Sequence, residues 1–489
     1  MTVPGEKSKQ NNLGYTFAKR IFGFSMASWI NCIISFIATP ITTALFLPEE
    51  LGKINLFISY ANIIIPVIYL GFDQAFVRFY NEPSGKNTSG STFKLCVSIS
   101  TVMSLASFIF IFGFWRHFSR KIIGYETILI SISMCIYLFA TMLLRYTNLK
   151  ARMENNVKKF CIQSIVSTII IKLSFVSVAL VKADAIYAIS IRAILLIIAA
   201  AYFSFSVFVS CRNEKIDSCT YVLKDMGRFA LPVFPTAFLV MLNLYLAQLM
   251  LNKYVDYSMI GIYSNAVTIA SIITIVQSGL NTFWTPFVYE YYKEQTKIQK
   301  MHHIVAFLML SMALLIIIFK DLIYLVLVNE RYWASKAIMA LLLISPICET
   351  ISETLGLGIE LTKRTYLKLP VYAINIVVNF TACSLLIPRY GIFGAGIANA
   401  LASLSMLVSK TVIGEKYYKC SNNYYRLILG IIILVSLAVS NYFIQNNSVI
   451  IICALSGLLV LCLIYADTIR LLINASSQII RQLVSKESK

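Results

Sequence analysis

The chain contains a succession of apolar runs that are each long enough to cross a lipid bilayer. A spanning helix needs about 17 to 25 consecutive, mostly apolar residues, and such runs recur along all 489 residues. Hydrophobic residues make up 58% of the chain, against the ~45–50% that is usual in soluble domains. The sequence therefore predicts an all-α integral membrane protein with about fourteen transmembrane helices.

The distribution of basic residues predicts the orientation of these helices. An even number of spans places both termini on one side, and with the termini in the cytoplasm the inner segments hold about three times as many Lys and Arg residues as the outer loops. The net charge of +20 is then largely explained by topology, and we expect no nucleic-acid partner. The run from Ile21 to Phe46 is too long for a cleaved signal peptide and is interpreted as the first span.

Weak internal similarity indicates that the chain is built from two copies of a six-helix unit. Gly52 and Ala61 recur as Gly261 and Ala270, and other matches keep nearly the same spacing. Because each copy has an even number of helices, the copies have the same orientation and form a parallel repeat. The predicted domains are a first lobe (1–223), a second lobe (224–424), an additional two-helix hairpin (425–466) and a cytoplasmic amphipathic tail (467–489).

Two cations lie inside predicted spans. Lys172 belongs to the run from Phe160 to Val181 and Arg192 to the run from Ala185 to Cys211, at similar depth on either side of a short turn. A charge in that position costs ~2.5–3.5 kcal/mol unless it faces a partner or a wet cavity. Arg and Lys both bind phosphate oxygens, so the pair could hold a pyrophosphate. Snorkelling, or an ion pair with another helix, is the alternative.

Two acids lie in a later predicted span. Glu349 and Glu353 are four residues apart and share a helix face just after Pro346. Two carboxylates so close in an apolar setting would suit a proton or sodium site, or line the cavity. They could equally pair with Lys172 or Arg192, or simply lie near the inner surface.

The remaining polar candidates are weaker, because ordinary placement explains them as well. Arg78, Arg145 and Glu290 lie near the inner surface, where they could meet a cytoplasmic head group or simply mark the membrane interface. Asn375 and Asn379 could line a sugar path or make interhelical hydrogen bonds. The cysteines lack the spacing of metal ligands, and we expect no metal site and no cofactor.

Several motifs resemble those of a known superfamily. They are LGFDQAFVRFY (Leu70 to Tyr80), LPVFP (Leu231 to Pro235), IGIYSNA (Ile260 to Ala266), FWTPFVYEYYKE (Phe283 to Glu294) and YGIFGAGIANAL (Tyr390 to Leu401). In this order, along a chain with about fourteen spans, they resemble the polysaccharide exporters of the multidrug, oligosaccharidyl-lipid and polysaccharide exporter superfamily.

The resemblance implies a bacterial inner-membrane flippase for O-antigen or capsule biosynthesis. Such a protein moves an undecaprenyl-pyrophosphate-linked oligosaccharide repeat unit to the periplasmic leaflet by alternating access, with two lobes that rock around a central cavity. Its partners would be this lipid-linked sugar and membrane lipids, with the polysaccharide polymerase and chain-length proteins as further candidates. A proton or sodium ion could drive transport.

Two other functions compete with this interpretation. A multidrug cation antiporter of the same superfamily would prefer an acidic cavity and usually has twelve helices. A membrane enzyme, such as a polymerase or glycosyltransferase, would need a catalytic domain, but the longest outer loops are short and no Asp-x-Asp motif occurs. We therefore expect a non-enzyme.

Overall fold

The architecture is helical wherever the structure describes the chain. The computed structural model describes residues 26–80, 89–174, 176–179, 182–210, 220–362, 364–444 and 446–474, and the regular elements in these ranges are all helices. Twelve of the described helices are long and apolar enough to cross a membrane. The predicted all-α, multi-pass membrane architecture is therefore confirmed.

The chain divides into two compact units. The first contains Met1–Ser264 and Leu327–Trp333, and the second contains Asn265–Val326 and Ala334–Lys489. The predicted lobe boundary at 223/224 comes from the sequence repeat rather than from contacts, and it stays a prediction. The N-terminal segment that is predicted to be cytoplasmic, the start of the first predicted span and tail residues 475–489 lie outside the described residues.

The first unit is built around a long, buried helix pair. Its helices are α1 (Met26–Leu45), α2 (Pro48–Tyr69), α3 (Phe72–Phe79), α4 (Ser89–Gly113), α5 (Trp115–Ile123), α6 (Ile128–Met153), α7 (Val157–Leu173), α8 (Val176–Ala179), α9 (Ala185–Ser210) and α10 (Thr220–Tyr254), followed by α11 (Tyr257–Ala270), within which the division falls. The longest contact is that of α6 with α9, and α2 packs on α4, α6, α9 and α10. Buried rings fill the space between them; those of Phe57 and Tyr137 meet edge to face at 5.6 Å.

The second unit is organised around α15. Its helices are α12 (Thr274–Tyr291), α13 (Gln295–Ile318), α14 (Lys320–Leu327), α15 (Lys336–Leu355), α16 (Leu357–Leu361), α17 (Lys368–Glu415), α18 (Tyr424–Phe443) and α19 (Asn447–Ile464). Helix α15 packs on α13, α17 and α18, and α13 also packs on α19. Beyond α19, residues 466–474 are helical.

The two predicted spans on either side of Gly391, Leu369 to Ile387 and Ile392 to Ser409, correspond to the two helices that make up α17 and meet at a kink. Gly391 has φ 54° and ψ −129° at this kink, and glycine tolerates the positive φ because it has no Cβ. The predicted span from Phe160 to Val181 is interrupted, since α7 ends at Leu173 and a separate short helix, α8, covers Val176–Ala179. The count of fourteen thus stays a prediction.

Two glycines related by the sequence repeat contact each other where α2 and α11 cross. A Cβ added to Gly52 would lie 1.9 Å from the Tyr257 carbonyl oxygen, and one added to Gly261 would lie 1.9 Å from the Pro48 carbonyl oxygen. The backbones therefore touch directly, as small residues allow between helices in a membrane.

We expect Gly52→Ala to destabilise the protein, because its methyl group meets backbone atoms that cannot rotate away. The loss should be ~1–3 kcal/mol, the usual cost of overpacking, measured as thermal unfolding of the purified protein in detergent. Gly227→Ala is the matched control, since nothing lies within 4 Å of its added Cβ and alanine favours helix. Equal unfolding temperatures for the two variants would refute the close crossing.

Candidate functional site

Lys172 and Arg192 lie within electrostatic range of each other in the first unit. Arg192 is the eighth residue of α9 and is 2% exposed, and its charge acts on that of half-buried Lys172. Lys172 lies in the last turn of α7, not well inside a longer helix as predicted, because α7 ends at Leu173. Among the described residues, no carboxylate forms an ion pair with Lys172. Two like charges thus lie within electrostatic range of each other in a spanning segment.

Polar groups from other helices surround this cationic pair. Tyr137 of α6 lies within electrostatic reach of Arg192, and Cys32 of α1 within reach of Lys172. Tyr245 of α10 lies within electrostatic reach of Tyr137, and Asn62 Nδ2 of α2 donates to its hydroxyl at 2.8 Å. Sequence reasoning missed these groups, since a single tyrosine or asparagine in an apolar run has no distinguishing pattern.

Arg145 is held by an acid at the other end of the unit. Its Nη2 donates to Asp73 Oδ2 at 2.9 Å, and this pair joins α6 to α3. Asp73 is placed by the sharp turn at Leu70 and Gly71, both of which have positive φ. The nearby Arg78 is exposed. Arg145 thus has a structural partner, while a role for either arginine in meeting a head group stays a prediction.

Glu353 forms an ion pair in the second unit. Lys410 Nζ of α17 lies 2.5 Å from Glu353 Oε1 of α15, and their side chains are 3% and 33% exposed. The aliphatic stem of Lys410 lies against Gly356, where a Cβ would come within 2.6 Å of the lysine Cε. The missing side chain at position 356 therefore makes room for the lysine to reach its carboxylate.

Glu349 lies one turn before Glu353 and is exposed within the span. It forms a side-chain hydrogen bond with Gln277 of α12 and lies within electrostatic reach of both Glu353 and Lys410. Tyr372 lies within electrostatic reach of both glutamates. An exposed carboxylate within a spanning helix needs water or a partner around it, so this face of α15 has the character of a hydrated cavity wall.

Three lysines that the sequence analysis does not place inside a predicted span are buried in the structure. Lys410 is one residue beyond the predicted span from Ile392 to Ser409, but it lies within α17 and is buried. Lys150 and Lys320 are buried as well; Lys150 lies over the Phe93 ring at 5.2 Å, and Lys320 donates to Asn441. Counting basic residues in the predicted loops cannot distinguish a buried lysine from an exposed one, because the long side chain lets a lysine near a helix end fold inward.

The asparagine candidates are buried between the two halves of α17. Asn375 Nδ2 donates to the Ala402 carbonyl at 2.8 Å, across the bend at Gly391, and Asn379 Oδ1 accepts from Cys383 Sγ at 3.3 Å. Glu290 is exposed beyond the apolar span, where its hydrogen bond raises the pKa of Tyr291. None of these contacts connects Asn375, Asn379 or Glu290 to the cationic pair or to the two glutamates of α15.

Metal ligands do not cluster within the part of the chain that the structure describes. His302 bonds through Nδ1 to Thr354 Oγ1 at 2.8 Å, and His303 bonds through Nε2 to Asn422 Oδ1 at 2.9 Å. The adjacent histidines therefore make separate structural contacts.

The fold is that of all-α membrane transporters. The lipid II flippase MurJ in an inward closed conformation matches with a TM-score of 0.63 and 16% identity, over 91% of this chain and 99% of that one. MATE in the straight conformation matches with a TM-score of 0.54 and 15% identity, over 82% and 96%. A MOP superfamily transporter from Pyrococcus furiosus matches with a TM-score of 0.51 and 13% identity, over 81% and 95%.

The sequence also identifies the family. The model for the family described as "Polysaccharide biosynthesis protein" matches residues 17–290, more than half of the 489-residue chain, and the chain belongs to this family. No curated protein sequence matches the chain.

We expect Glu353→Gln to destabilise the protein more than Lys410→Met. The first leaves a lysine that is 3% exposed without its carboxylate, which should cost about 3 kcal/mol. The second puts a methionine in the lysine's apolar site and leaves a carboxylate that is 33% exposed, so its cost should be smaller. Thermal unfolding in detergent measures both. Glu360→Gln is the control, because it breaks the more exposed pair with Lys368 and should cost under ~1 kcal/mol. A larger loss for Lys410→Met would contradict the buried-charge argument.

Proposed function

We propose that this protein is a flippase for an undecaprenyl-pyrophosphate-linked oligosaccharide of the O-antigen or capsule type. It would lie in the bacterial inner membrane with both termini in the cytoplasm, and carry its substrate to the periplasmic leaflet by alternating access. In this proposal it is a transporter and not an enzyme. The polysaccharide polymerase and chain-length proteins would act on the delivered repeat unit.

One observation carries the proposal: the cationic pair of Lys172 and Arg192. Arg192 is anchored in the densely packed contact between α6 and α9, so its position is rigid. Lys172 lies at the end of α7, and its own aliphatic side chain is flexible. A planar guanidinium and a mobile ammonium together suit the several oxygens of a pyrophosphate, whereas a cationic drug would be repelled. The charge therefore favours a lipid-linked pyrophosphate over a multidrug antiporter's cargo.

The family and the neighbouring structures support the same class of substrate. The family is named for polysaccharide biosynthesis, and MurJ is described as a flippase for lipid II. Of the Pyrococcus furiosus transporter it is said that the reverse polarity of its binding pocket suggests a different function. A basic substrate site in the present chain would likewise separate it from cation exporters.

The exposed Glu349 supplies a candidate for ion coupling. Its neighbour Glu353 is neutralised by Lys410, so Glu349 is the carboxylate of the pair that could bind and release a proton or a sodium ion. Such a site would lie on α15, in the unit that does not contain the cationic pair. In this proposal, binding of the ion and of the sugar lipid would be coupled through the movement of helices.

We expect Arg192→Ala and Lys172→Ala each to reduce surface polysaccharide at least tenfold, because the loss of one charge-assisted contact to a phosphate costs about 1.5–3 kcal/mol. The measurement is complementation of a flippase-deficient strain, with protein level determined by immunoblot. Lys182→Ala is the matched control, since that lysine is largely exposed and pairs with Asp184. Full complementation by both site variants would rule out the cationic site.

The class of function is tested by the fate of a labelled repeat unit. In a deletion strain we expect lipid-linked repeat units to accumulate on the inner leaflet, because they are synthesised but not carried across. The measurement is accessibility of the labelled sugar to a periplasmic reagent. Unpolymerised units on the outer leaflet would instead indicate a polymerase, and a change in drug susceptibility without accumulation would indicate an antiporter.

We expect Glu349→Gln to make transport insensitive to the ion gradient that drives it. The variant keeps the shape of the side chain but cannot exchange a proton or bind sodium electrostatically. Transport by proteoliposomes, with a proton or sodium gradient imposed or collapsed, measures the effect, and Glu290→Gln serves as the control. A wild-type response of the Glu349 variant to both gradients would exclude Glu349 as the coupling group.

A further inference from the structure

A cavity of about 530 Å³ lies between the beginning of α7 and the end of α9. Its size is within the ~300–1,000 Å³ that is typical of small-molecule sites. Lys158 and Lys172 are both on α7, about 21 Å apart at 1.5 Å per residue. The cavity is therefore separate from the cationic pair that we propose to bind substrate.

The polar side of this cavity is suited to a phosphate group. Lys159 reaches across from α7, and its Nζ donates to Ser206 Oγ of α9 at 3.0 Å. Lys158 and Asn156 line the same side, and none of the described residues that line the cavity is acidic. The nearby Glu154 interacts instead with Lys150 of α6, at 3.6 Å. A lysine that only snorkelled to water would extend into it, whereas Lys159 is half-buried against the neighbouring helix.

The opposite side of the cavity is suited to hydrocarbon. Tyr202 and Phe205 are 76% and 73% exposed on the last turns of α9, and Ile162 and Phe203 lie beside them. Aromatic side chains at the end of a spanning helix belong at the level of the lipid head groups. The cavity thus places cations and a hydroxyl next to an apolar wall at that level.

We propose that this cavity binds the head group of an anionic glycerophospholipid, with its phosphate on Lys158, Lys159 and Ser206 and its acyl chains along Ile162, Tyr202 and Phe205. The positive-inside orientation puts the cavity in the cytoplasmic leaflet, where lysines attract anionic lipids. A bound lipid would join the ends of α7 and α9, the two helices that carry Lys172 and Arg192. Its site depends only on the geometry of the first unit, not on the identity of the transported sugar.

The test is native mass spectrometry of the purified full-length chain with equal amounts of dioleoyl phosphatidylglycerol and dioleoyl phosphatidylethanolamine. We expect wild type to retain the anionic lipid at least about fivefold more, the factor of a single surface lysine against an anionic lipid. The variant Lys158→Ala/Lys159→Ala should lose this preference. Lys416→Ala/Lys419→Ala, which removes two exposed lysines outside the cavity, should keep it.

A second variant makes the test independent of charge. Ile162→Trp fills the cavity without removing a cation, and it should also abolish the preference while unfolding at the wild-type temperature. Equal retention of both lipids by wild type, or an unchanged preference in Lys158→Ala/Lys159→Ala, would overturn the proposal. Displacement of phosphatidylglycerol by an added undecaprenyl-pyrophosphate sugar, with the same dependence on Lys158 and Lys159, would also overturn it, by assigning the cavity to substrate.

Discussion

The cost of placing a charge in a bilayer is the constraint on which the rest of this structure depends. Water is not available there to solvate an ammonium or carboxylate, so each charge must face a partner, a wet cavity or the interface. Lys410 meets this requirement through Glu353, and Arg145 meets it through Asp73. The charges of Lys172 and Arg192 lie within electrostatic range of each other, and their mutual repulsion adds to the cost of placing each one in the membrane.

Close helix contacts make these charge placements possible. Gly356 leaves space for the stem of Lys410, and Gly414 lets α17 approach α15 at the same level. In the first unit, Gly52 and Gly261 bring the backbones of α2 and α11 into contact. Since helices in lipid gain little from the hydrophobic effect, small residues at their crossings supply much of the packing energy. Charge and packing are therefore set by the same few positions.

The two proposed ligand sites use the α7–α9 pair in different ways. Near the ends of these helices, the lysine-lined cavity combines exposed aromatic residues with cations, as an interfacial lipid site requires. Toward the interior, Arg192 is packed between helices and holds a fixed position. In these two proposals, a head group at one level and a pyrophosphate at another act on the same two helices, and this would link lipid composition to transport.

The sequence by itself determined the membrane class and the helical architecture, because the length of an apolar run is a local property. It also marked four charged residues as unusual, because an isolated charge within such a run can be recognised locally; they are Lys172, Arg192, Glu349 and Glu353. It also identified the matching pair Gly52 and Gly261, but not that they touch. Only the tertiary structure decided that Lys410 is the partner of Glu353, that α7 ends beside Lys172 and that Tyr137 lies near Arg192. Those facts depend on which helices are neighbours and how far a flexible stem folds inward, and a linear pattern of apolar runs contains neither.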